Sequence, residues 1–297
     1  MSNYSLELTN LTKKYGKFTA LDGVNVTVEK GEVFGYIGPN GAGKTTTIRV
    51  MLGILKATSG SAKVFGLDAW RDAVEIHKKV AYVPGDVTLW PNLTGGEVID
   101  LFINLRGKHD KTRREQLLEM FDLDPTKKCR TYSKGNRQKV ALVAAFASDA
   151  ELFVLDEPTS GLDPLMGHQF QQCVLEQKNL GKGVFLSSHI MSEVEQLCDK
   201  VGIIKNGKLV DTGTLGELRH LTRVNMKVET ERPIDGLKGL AGVHNVTEKN
   251  GEVEFHVDYE SVGAVVENIS KFGVKKFESA PPSLEEMFMS HYDQREV

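Results

Sequence analysis

The chain has 297 residues, of which 40% are hydrophobic and 26% are charged, and its formal net charge is −3 at pH 7. Such a chain has enough apolar material for a core and forms one large domain, or a large domain with a smaller one. The charge excludes a strongly basic nucleic-acid-binding protein, so we expect no nucleic acid partner. No apolar run approaches the roughly 18 residues that cross a bilayer, so we expect a soluble, intracellular chain.

Short apolar runs alternate with helical patterns in the first two thirds of the chain. The runs predict buried strands at 33–37, 80–83, 151–155, 184–187 and 201–205. The helical patterns predict helices at 43–52, 69–79, 95–106, 111–121, 136–146, 165–178 and 190–197. This alternation predicts an α/β domain with a largely parallel sheet. Thr94 with Glu97, and Ser283 with Glu286, fit capping boxes at helix starts.

The pattern changes near residue 222, which predicts a second domain. Strands are predicted at 224–229, 243–248, 253–257 and 274–278, and helical segments at 236–240 and 262–272. The Asn250-Gly251 pair predicts a hairpin turn, and Pro281-Pro282 precedes a last short helix. We therefore predict a large domain over 1–222 and a small α+β domain over 223–297.

The three cysteines are Cys129, Cys173 and Cys198, and they are scattered along the chain. Their spacing lacks the pairing typical of a metal site. We interpret them as reduced thiols in or near the core.

A glycine-rich loop follows the first predicted buried strand. Residues 38–45 read GPNGAGKT, which is the pattern G-x-x-x-x-G-K-[ST]. Glycines let backbone N–H groups surround phosphate oxygens, and the helix start adds its positive end. Lys44 is expected to reach the β- and γ-phosphates of a nucleotide, and the Thr45 hydroxyl to ligate Mg²⁺. The predicted nucleotide-binding residues of this loop are Gly38, Pro39, Asn40, Gly41, Ala42, Gly43, Lys44, Thr45 and Thr46.

Two carboxylates, Asp156 and Glu157, follow a second apolar run. Open α/β sheets bind ligands at the carboxyl ends of their strands. We predict that Asp156 holds Mg²⁺ through water and that Glu157 orients or deprotonates the attacking water. Two adjacent acids could instead form a solvated turn. The phosphate loop earlier in the chain favours the ATP-Mg interpretation.

Three further motifs carry a resemblance to a known family. Residues 132–139, YSKGNRQK, resemble a variant of the signature motif of ABC ATPases and lie just before the Asp-Glu strand. Residues 160–163, SGLD, resemble the family's D-loop, and residues 187–189, SSH, resemble its switch region. With the phosphate loop they cover residues 15 to about 215. The chain therefore resembles an ABC transporter ATP-binding protein.

The resemblance implies a fold and residue roles. The fold is a P-loop NTPase domain with a mostly parallel sheet, an antiparallel β subdomain and a helical subdomain. Tyr15 matches the aromatic residue that stacks on adenine, with a core tyrosine as the alternative. Ser133 and Gly135 match residues that contact the γ-phosphate of ATP held by another subunit. His189 matches the residue that contacts the γ-phosphate and the attacking water.

The resemblance also implies partners and a location. The expected partners are a second nucleotide-binding subunit, as a homodimer, and a separate integral membrane permease, with the chain on the cytoplasmic face of the membrane. The Tyr-Ser-Lys-Gly form of the signature and the C-terminal domain resemble those of exporters of antibiotics, bacitracin-type peptides and drugs. In this family, residues 90–93 lie near the groove for the permease, although they could also belong to the core.

The sequence departs from the family pattern after the strand at 80–83. The family usually has a glutamine there that ligates Mg²⁺, and Gly85 stands at that position. We hypothesise that Asp86 replaces this ligand, directly or through water; the alternative is that the ligand is lost.

Competing classes explain fewer of these motifs. A translation ATPase usually carries two such domains, and a DNA-repair ATPase needs a long coiled-coil insertion. A regulatory module without hydrolysis would not need Glu157 and His189. A small-molecule kinase would not explain the signature.

Overall fold

The computed structural model describes residues 3–106, 110–220, 223–249, 251–280 and 283–293. The chain divides into two compact units, residues 1–212 and 213–297. The sequence analysis put the domain boundary after residue 222, whereas this division assigns the helix Leu215–His220 to the second unit. In the described part of the chain, none of the helices combines the length and apolar character needed to cross a bilayer.

The elements follow one another in chain order as strands and helices. The strands up to the boundary are β1 (Tyr4–Tyr15), β2 (Phe18–Glu29), β3 (Val33–Ile37), β4 (Ser59–Val64), β5 (Leu67–Asp68), β6 (Val80–Val83), β7 (Leu152–Asp156), β8 (Gly183–Ser188), β9 (Lys200–Lys205) and β10 (Lys208–Thr214). The helices are α1 (Lys44–Met51), α2 (Ala73–His77), α3 (Gly95–Asn104), α4 (Lys111–Met120), α5 (Lys134–Phe146), α6 (Pro164–Asn179) and α7 (Met191–Leu197).

A six-stranded sheet in the order β10-β9-β3-β8-β7-β6 forms the centre of the first unit. The pairs β9–β3, β3–β8, β8–β7 and β7–β6 are parallel, as predicted. Every residue of β3 and β7 is buried, which explains their continuous apolar sequences. Ile37 lies opposite Ser188 and Asp156 opposite Ser187, so the carboxyl ends of β3, β8 and β7 meet at one edge.

A second, antiparallel sheet has the order β2-β1-β4-β5. The resemblance implied such a sheet, but the sequence analysis did not locate its strands. Register shifts interrupt the pairing of β1 with both β2 and β4, so the two-residue alternation that marks a half-buried strand is broken. Its buried residues, such as Leu6, Leu8 and Val26, pack in the same core as Phe34 and Ile48.

The predicted helix at 69–79 is shorter in the structure. It begins only at Ala73, because Asp68 and Asp72 form turns before it. The Asp68 carboxylate accepts the N–H groups of Trp70 and Arg71 at 3.0 and 2.9 Å. The Asp72 carboxylate accepts the N–H of Asp68 at 2.9 Å. Side-chain acceptors of this kind compete with the helical hydrogen-bond pattern.

Both predicted capping boxes are confirmed. The Glu97 carboxylate accepts the Thr94 N–H at 2.6 Å, and the Thr94 hydroxyl accepts the Glu97 N–H at 3.2 Å. Ser283 and Glu286 form the same reciprocal pair at 3.0 and 3.2 Å. All three cysteines are buried and free, as predicted.

The second unit contains a four-stranded antiparallel sheet and helices. Its elements are α8 (Leu215–His220), β11 (Val224–Thr230), β12 (Val243–Lys249), β13 (Glu252–Val257), α9 (Val262–Ser270), β14 (Val274–Ala280) and α10 (Leu284–Asp293). The strand order is β12-β13-β11-β14, and Val265 and Ile269 of α9 share a core with Met226 and Phe255 of the sheet. The predicted helix at 236–240 is a single 3₁₀ turn, Leu237–Gly239.

Two predictions for the second unit concern residues that the structure does not describe. The pairing of β12 with β13 is antiparallel, as a hairpin requires. Asn250 of the predicted turn, and Pro281-Pro282 before the last helix, lie outside the described residues.

Candidate functional site

A cleft of about 360 Å³ opens at the edge where β3 and β7 end. Ten of the predicted site residues line it, namely Tyr15, Pro39, Asn40, Gly41, Gly43, Lys44, Thr45, Thr46, Asp156 and Glu157. Phe18 and Ala20 complete the lining. The structure thus brings together residues from the β1–β2 turn, the glycine-rich loop and the end of β7. Parallel α/β sheets bind their ligands at such an edge.

At two positions of the loop, the backbone lies so close to neighbouring atoms that only glycine fits. A β-carbon at Gly38 would come within 2.5 Å of the Ile204 carbonyl oxygen. Gly43 has a φ of +117°, and a β-carbon there would lie 3.0 Å from the Ala20 carbonyl oxygen. Only glycine tolerates both the positive φ and the crowding. The loop therefore passes tightly against β9 and β2 and leads directly into α1.

Lys44 is almost fully enclosed, with 6% of its surface exposed. Its ammonium group donates to the Gly38 carbonyl at 2.5 Å and lies 3.3 Å from Glu157 Oε1. The second contact is an ion pair without hydrogen-bond geometry. Among the residues that the structure describes, the buried Glu157 Oε1 has no hydrogen-bond partner. A buried carboxylate oxygen without such a partner is costly, so this point in the cleft suits an added donor such as water.

Asp156 is held by two hydroxyl groups. The Thr45 hydroxyl donates to Oδ2 at 3.2 Å, and the Ser187 hydroxyl donates to Oδ1 at 2.5 Å. Burial, and to a lesser extent the charge of the neighbouring Asp156, raises the pKa of Tyr82 to about 12. Ser187 fixes the predicted metal-binding carboxylate, a role that the sequence analysis did not assign to it.

The Thr45–Asp156 pair fits a magnesium ion. In the described residues, no group of three or more His, Cys, Asp or Glu side chains could hold a metal without other ligands. Magnesium does not need such a cluster, since it is bound through one or two carboxylates and by the phosphates of its substrate. A hydroxyl and a carboxylate side by side at the mouth of a phosphate loop are hard oxygen donors of the required type.

Glu157 and His189 form a pair at the rim of the cleft. Glu157 Oε2 is in hydrogen-bond contact with His189 Nδ1. The Glu157 backbone is left-handed, with a φ of 49°, and its N–H donates to the Ser187 carbonyl at 2.9 Å. Glu157 is 19% exposed and His189 is 62% exposed. The histidine therefore offers its other face to solvent and the glutamate faces the cleft.

Tyr15 and Phe18 form the outer end of the cleft. They are partners across the turn between β1 and β2, and they are 48% and 66% exposed. The Lys13 ammonium lies 5.1 Å from the centre of the Tyr15 ring. Tyr15 is thus a surface residue and not the core tyrosine of the alternative interpretation. The sequence analysis missed Phe18, although a two-residue turn after Tyr15 implies that residue 18 stands beside it.

The signature residues lie away from this cleft. Ser133 caps α5, and its hydroxyl accepts the Asn136 N–H at 3.2 Å. The Gln138 side chain is buried and donates to the Pro158 carbonyl at 2.9 Å, and Lys134 donates to Ser160 at 3.0 Å. The start of α5 is therefore bonded to the loop that follows Glu157, while Ser133 is exposed and is not among the residues that line the cleft.

The structure places Gly85, and not Asp86, next to the two acids. A β-carbon at Gly85 would lie 3.1 Å from the Asp156 carbonyl oxygen and 3.3 Å from the Glu157 β-carbon. Asp86 is exposed and is not among the residues that line the cleft. The assignment of Asp86 as a metal ligand stays a prediction.

A larger hollow, of about 550 Å³, lies in the second unit. It is lined by the loop after β11 and by the strands β12 and β13. Its lining lacks the combination found in the smaller cleft, where a glycine-rich helix start, a buried lysine and two carboxylates converge. We therefore place the candidate site in the cleft of the first unit because of the residues that line it, although that cleft has the smaller volume.

Comparisons with known proteins identify the family. The model of the ABC transporter family matches residues 21–160, and a model described as ATP-binding protein DrrA1-3-like, C-terminal domain, matches residues 213–292. The bacitracin transport ATP-binding protein BcrA of Enterococcus faecalis is 31% identical over 294 residues, which cover 96% of this chain and 95% of BcrA. The chain belongs to the ABC transporter ATP-binding proteins.

Solved structures of ATP-binding cassettes have the same fold. The ATP-binding subunit of an ABC transporter matches with a TM-score of 0.69 and 33% identity over 73% of this chain and 92% of that subunit. The cassette MJ0796, in a dimeric post-hydrolysis state bound to ADP and Pi, matches with a TM-score of 0.64 and 26% identity over 71% of this chain and 98% of that protein. This ABC protein is accordingly the ATP-binding subunit of a transporter, with the ABC ATPase fold that the sequence predicted.

Proposed function

We propose that this ABC protein hydrolyses ATP-Mg as a head-to-tail pair of chains and thereby drives export through a separate membrane permease. The observation that carries the proposal is that Lys44 and His189 both contact the Glu157 carboxylate, which lines the cleft. A cation for phosphate and a base for water therefore lie side by side.

ATP binding would begin at the glycine-rich loop. The N–H groups at the start of α1 point at the phosphates, and Lys44 moves from the Gly38 carbonyl to the γ-phosphate. The adenine stacks on Tyr15, which contributes on the order of 1–3 kcal/mol. Phosphate binding also draws Lys44 away from Glu157, which leaves that carboxylate free to accept a proton.

Magnesium would be held by Thr45 and Asp156, with Asp86 as a further ligand through water. When bound, the ion neutralises charge on the β- and γ-phosphates. Ser187 keeps the Asp156 carboxylate in place through its 2.5 Å hydrogen bond. Gly85, which lies next to the two acids, has no side chain that could ligate the ion.

Glu157 is the proposed general base. Its buried Oε1 has no hydrogen-bond partner in the described part of the chain and can accept the proton of a water that attacks the γ-phosphate. His189 orients the carboxylate through Nδ1 and turns its exposed face to the γ-phosphate. A general base of this kind contributes about 10²- to 10⁴-fold to the rate.

The pairing of two chains is supported by the position of the signature. Ser133 and Gly135 do not line the cleft formed by their own chain. At a helix start, a hydroxyl and an exposed backbone are suited to bind a phosphate. A second copy, turned head to tail, would bring them to the γ-phosphate of the first.

Two observations support the proposal of a permease partner and of export, namely the names of the relatives and an apolar hollow on the surface. BcrA is named as a bacitracin transport protein. An apolar hollow of about 100 Å³ beside α3 and α5 is lined by residues that include Tyr82, Val87, Trp90, Phe102 and Val140. Trp90 is 52% exposed, so a helix of a permease at the cytoplasmic membrane face could cover it.

Turnover of the Glu157→Gln variant tests the hydrolysis proposal. We expect phosphate release from ATP-Mg to fall by about 100-fold or more while ATP binding is kept, because the amide cannot accept the proton. Size-exclusion chromatography should show an ATP-dependent dimer of this variant. Glu75→Gln is the matched control, since Glu75 is an exposed glutamate that forms a surface ion pair with Lys78. Near-normal turnover of Glu157→Gln would remove Glu157 from the mechanism.

Purification of the chain from its native membrane tests the transport partner. We expect a polytopic membrane protein to co-purify in a fixed ratio with two copies of the chain. Trp90→Ala should weaken this association without changing the ATP affinity of the isolated chain. Recovery of the chain with no membrane protein would contradict the permease proposal.

A further inference from the structure

Helix α7 carries a buried carboxylate close to the catalytic pair. Glu193 is 4% exposed, although the helix is short and its neighbours Ser192 and Gln196 are exposed. Burial raises the pKa of Glu193 above its ordinary value, and the hydrogen bonds from Ser188 and Thr159 oppose this rise. A carboxylate is kept in such a place only when its hydrogen bonds are satisfied.

One oxygen of Glu193 is bonded to the segment that carries His189. The Ser188 hydroxyl donates to Glu193 Oε2 at 2.7 Å. The same hydroxyl oxygen accepts the Ile190 N–H at 3.0 Å. Ser188 and Ile190 flank His189 in the chain, so this network fixes the backbone on both sides of the histidine.

The same carboxyl group also lies near the segment that carries Glu157. The Thr159 side chain is close enough to Glu193 to lower the pKa of its carboxyl group, against the larger effect of burial. Thr159 follows Glu157 by two residues, and the turn is closed by the Ser160 N–H, which donates to the Glu157 carbonyl at 3.1 Å. A single buried side chain is therefore bonded to Ser188, at the end of β8, and lies near Thr159 in the loop after β7.

We propose that Glu193 is a positioning residue that holds the His189 and Glu157 segments in register for hydrolysis. The inference rests on the proposed function, because it assigns a role to Glu193 in that reaction. Glu157 and His189 are joined directly by one contact, in which the histidine is largely exposed. Without the Glu193 carboxylate, the two segments can separate, and the Glu157 carboxylate loses its orientation. Glu193 is not among the residues that line the cleft, so its effect passes through these neighbours.

Steady-state kinetics of Glu193→Ala and Glu193→Gln test the proposal. We expect kcat for ATP hydrolysis to fall about 10-fold or more in Glu193→Ala, because small displacements of catalytic groups cost large factors in rate. The KM for ATP and the binding stoichiometry should stay within about 2-fold, since the phosphate loop and Tyr15 are untouched. Glu193→Gln keeps the shape and one acceptor oxygen, so its kcat should lie between those of Glu193→Ala and the wild type. Gln196→Ala, on the exposed face of the same helix, is the matched control and should change neither constant.

A double-mutant cycle distinguishes the positioning role of Glu193 from a general loss of stability. Ser188→Ala and Thr159→Ala each remove one anchor, and both should lower kcat without raising KM. Because the anchors act through Glu193, Ser188→Ala combined with Glu193→Ala should be no slower than Glu193→Ala by more than about 2-fold. The two single-anchor variants provide the test if Glu193→Ala does not fold.

The outcomes separate this inference from the proposed function. The positioning role would be wrong if folded Glu193→Ala had the kcat of the wild type. It would also be wrong if the Ser188→Ala and Glu193→Ala substitutions lowered kcat independently, so that their factors multiplied in the double variant. Either result would leave the ATPase proposal unchanged. A rise in KM equal to the fall in kcat would likewise overturn the positioning role. A wild-type chain without any ATP turnover would overturn the proposed function, and the inference with it.

Discussion

Gly135 lies so close to Gly161 that a β-carbon at residue 135 would come within 2.6 Å of the Gly161 carbonyl oxygen. The obstacle is backbone and cannot rotate away. The signature helix and the loop after Glu157 are therefore packed against each other at a point where only glycine fits. A larger residue at position 135 must therefore displace the signature helix or the loop that follows Glu157.

The Gly135→Ala variant should lose both stability and turnover. Overpacking of this kind costs about 1–3 kcal/mol, and the displaced loop carries Glu157. Thermal unfolding and phosphate release measure the two effects. Gly167→Ala is the control, because Gly167 lies in α6 with nothing within 4 Å of the added β-carbon. We expect this variant to be more stable, by up to about 1 kcal/mol. Equal stability of the two variants would contradict the packing argument.

Removal of the Tyr15 ring should weaken ATP binding. The loss of a stacking platform is worth about 1–3 kcal/mol, so the Kd of Tyr15→Ala should rise by roughly 5- to 100-fold. Tyr15→Phe keeps the ring and should bind nearly as well as the wild type. Phe18→Ala should have a smaller effect than Tyr15→Ala, because Phe18 is the more exposed of the two rings. A fluorescent ATP analogue provides the measurement, and an unchanged Kd in Tyr15→Ala would exclude stacking.

Magnesium titrations distinguish the two proposed acidic ligands. Asp156→Asn should raise the Mg²⁺ concentration for half-maximal hydrolysis by about 10-fold or more, because Asp156 is buried beside Thr45. Asp86→Ala should have a smaller effect, since Asp86 is exposed and would act through water. If the Mg²⁺ dependence of Asp86→Ala equals that of the wild type, Asp86 is not a ligand.

Stability should depend on pH through Glu193. Burial raises its pKa above the ordinary value of 4.5, and of the two charged groups nearby Glu157 raises it further while His189 lowers it. The folded chain then holds this proton more tightly than the unfolded chain. The stabilising contribution is complete below pH 4.5 and is lost as the pH rises through the folded-state pKa. The Tm of Glu193→Gln should therefore rise relative to that of the wild type between pH 4.5 and 7. A constant difference in Tm over this range would contradict the shifted pKa.

The sequence predicted the parts of the fold that have a strong local pattern. The strands β3 and β6 were predicted with their observed bounds, because buried parallel strands are continuous apolar runs between turn residues. The phosphate loop and the acids after β7 were located because their chemistry requires adjacent residues. The strands β1 and β2 were not located, because their register shifts break the alternation that would reveal them.

Two site features depend on contacts that no local pattern reveals. Glu193 lies in the polar segment Met-Ser-Glu-Val-Glu-Gln-Leu, where its sequence neighbours give no sign that it is buried. Its partner Ser188 stands at the end of β8, and long-range packing decides that Glu193 is buried against it. Phe18 is placed by a tight turn that sets it beside Tyr15, so its position follows once the two strands are located.

The aromatic end of the cleft has a consequence for substrate choice. Tyr15 and Phe18 offer flat ring surfaces, and stacking on such surfaces does not distinguish one purine from another. In the proposed function, recognition would therefore depend on the triphosphate, which all nucleoside triphosphates share. GTP should therefore compete with ATP for the cleft at comparable concentrations. The larger concentration of ATP in the cell would then determine which nucleotide the transporter hydrolyses.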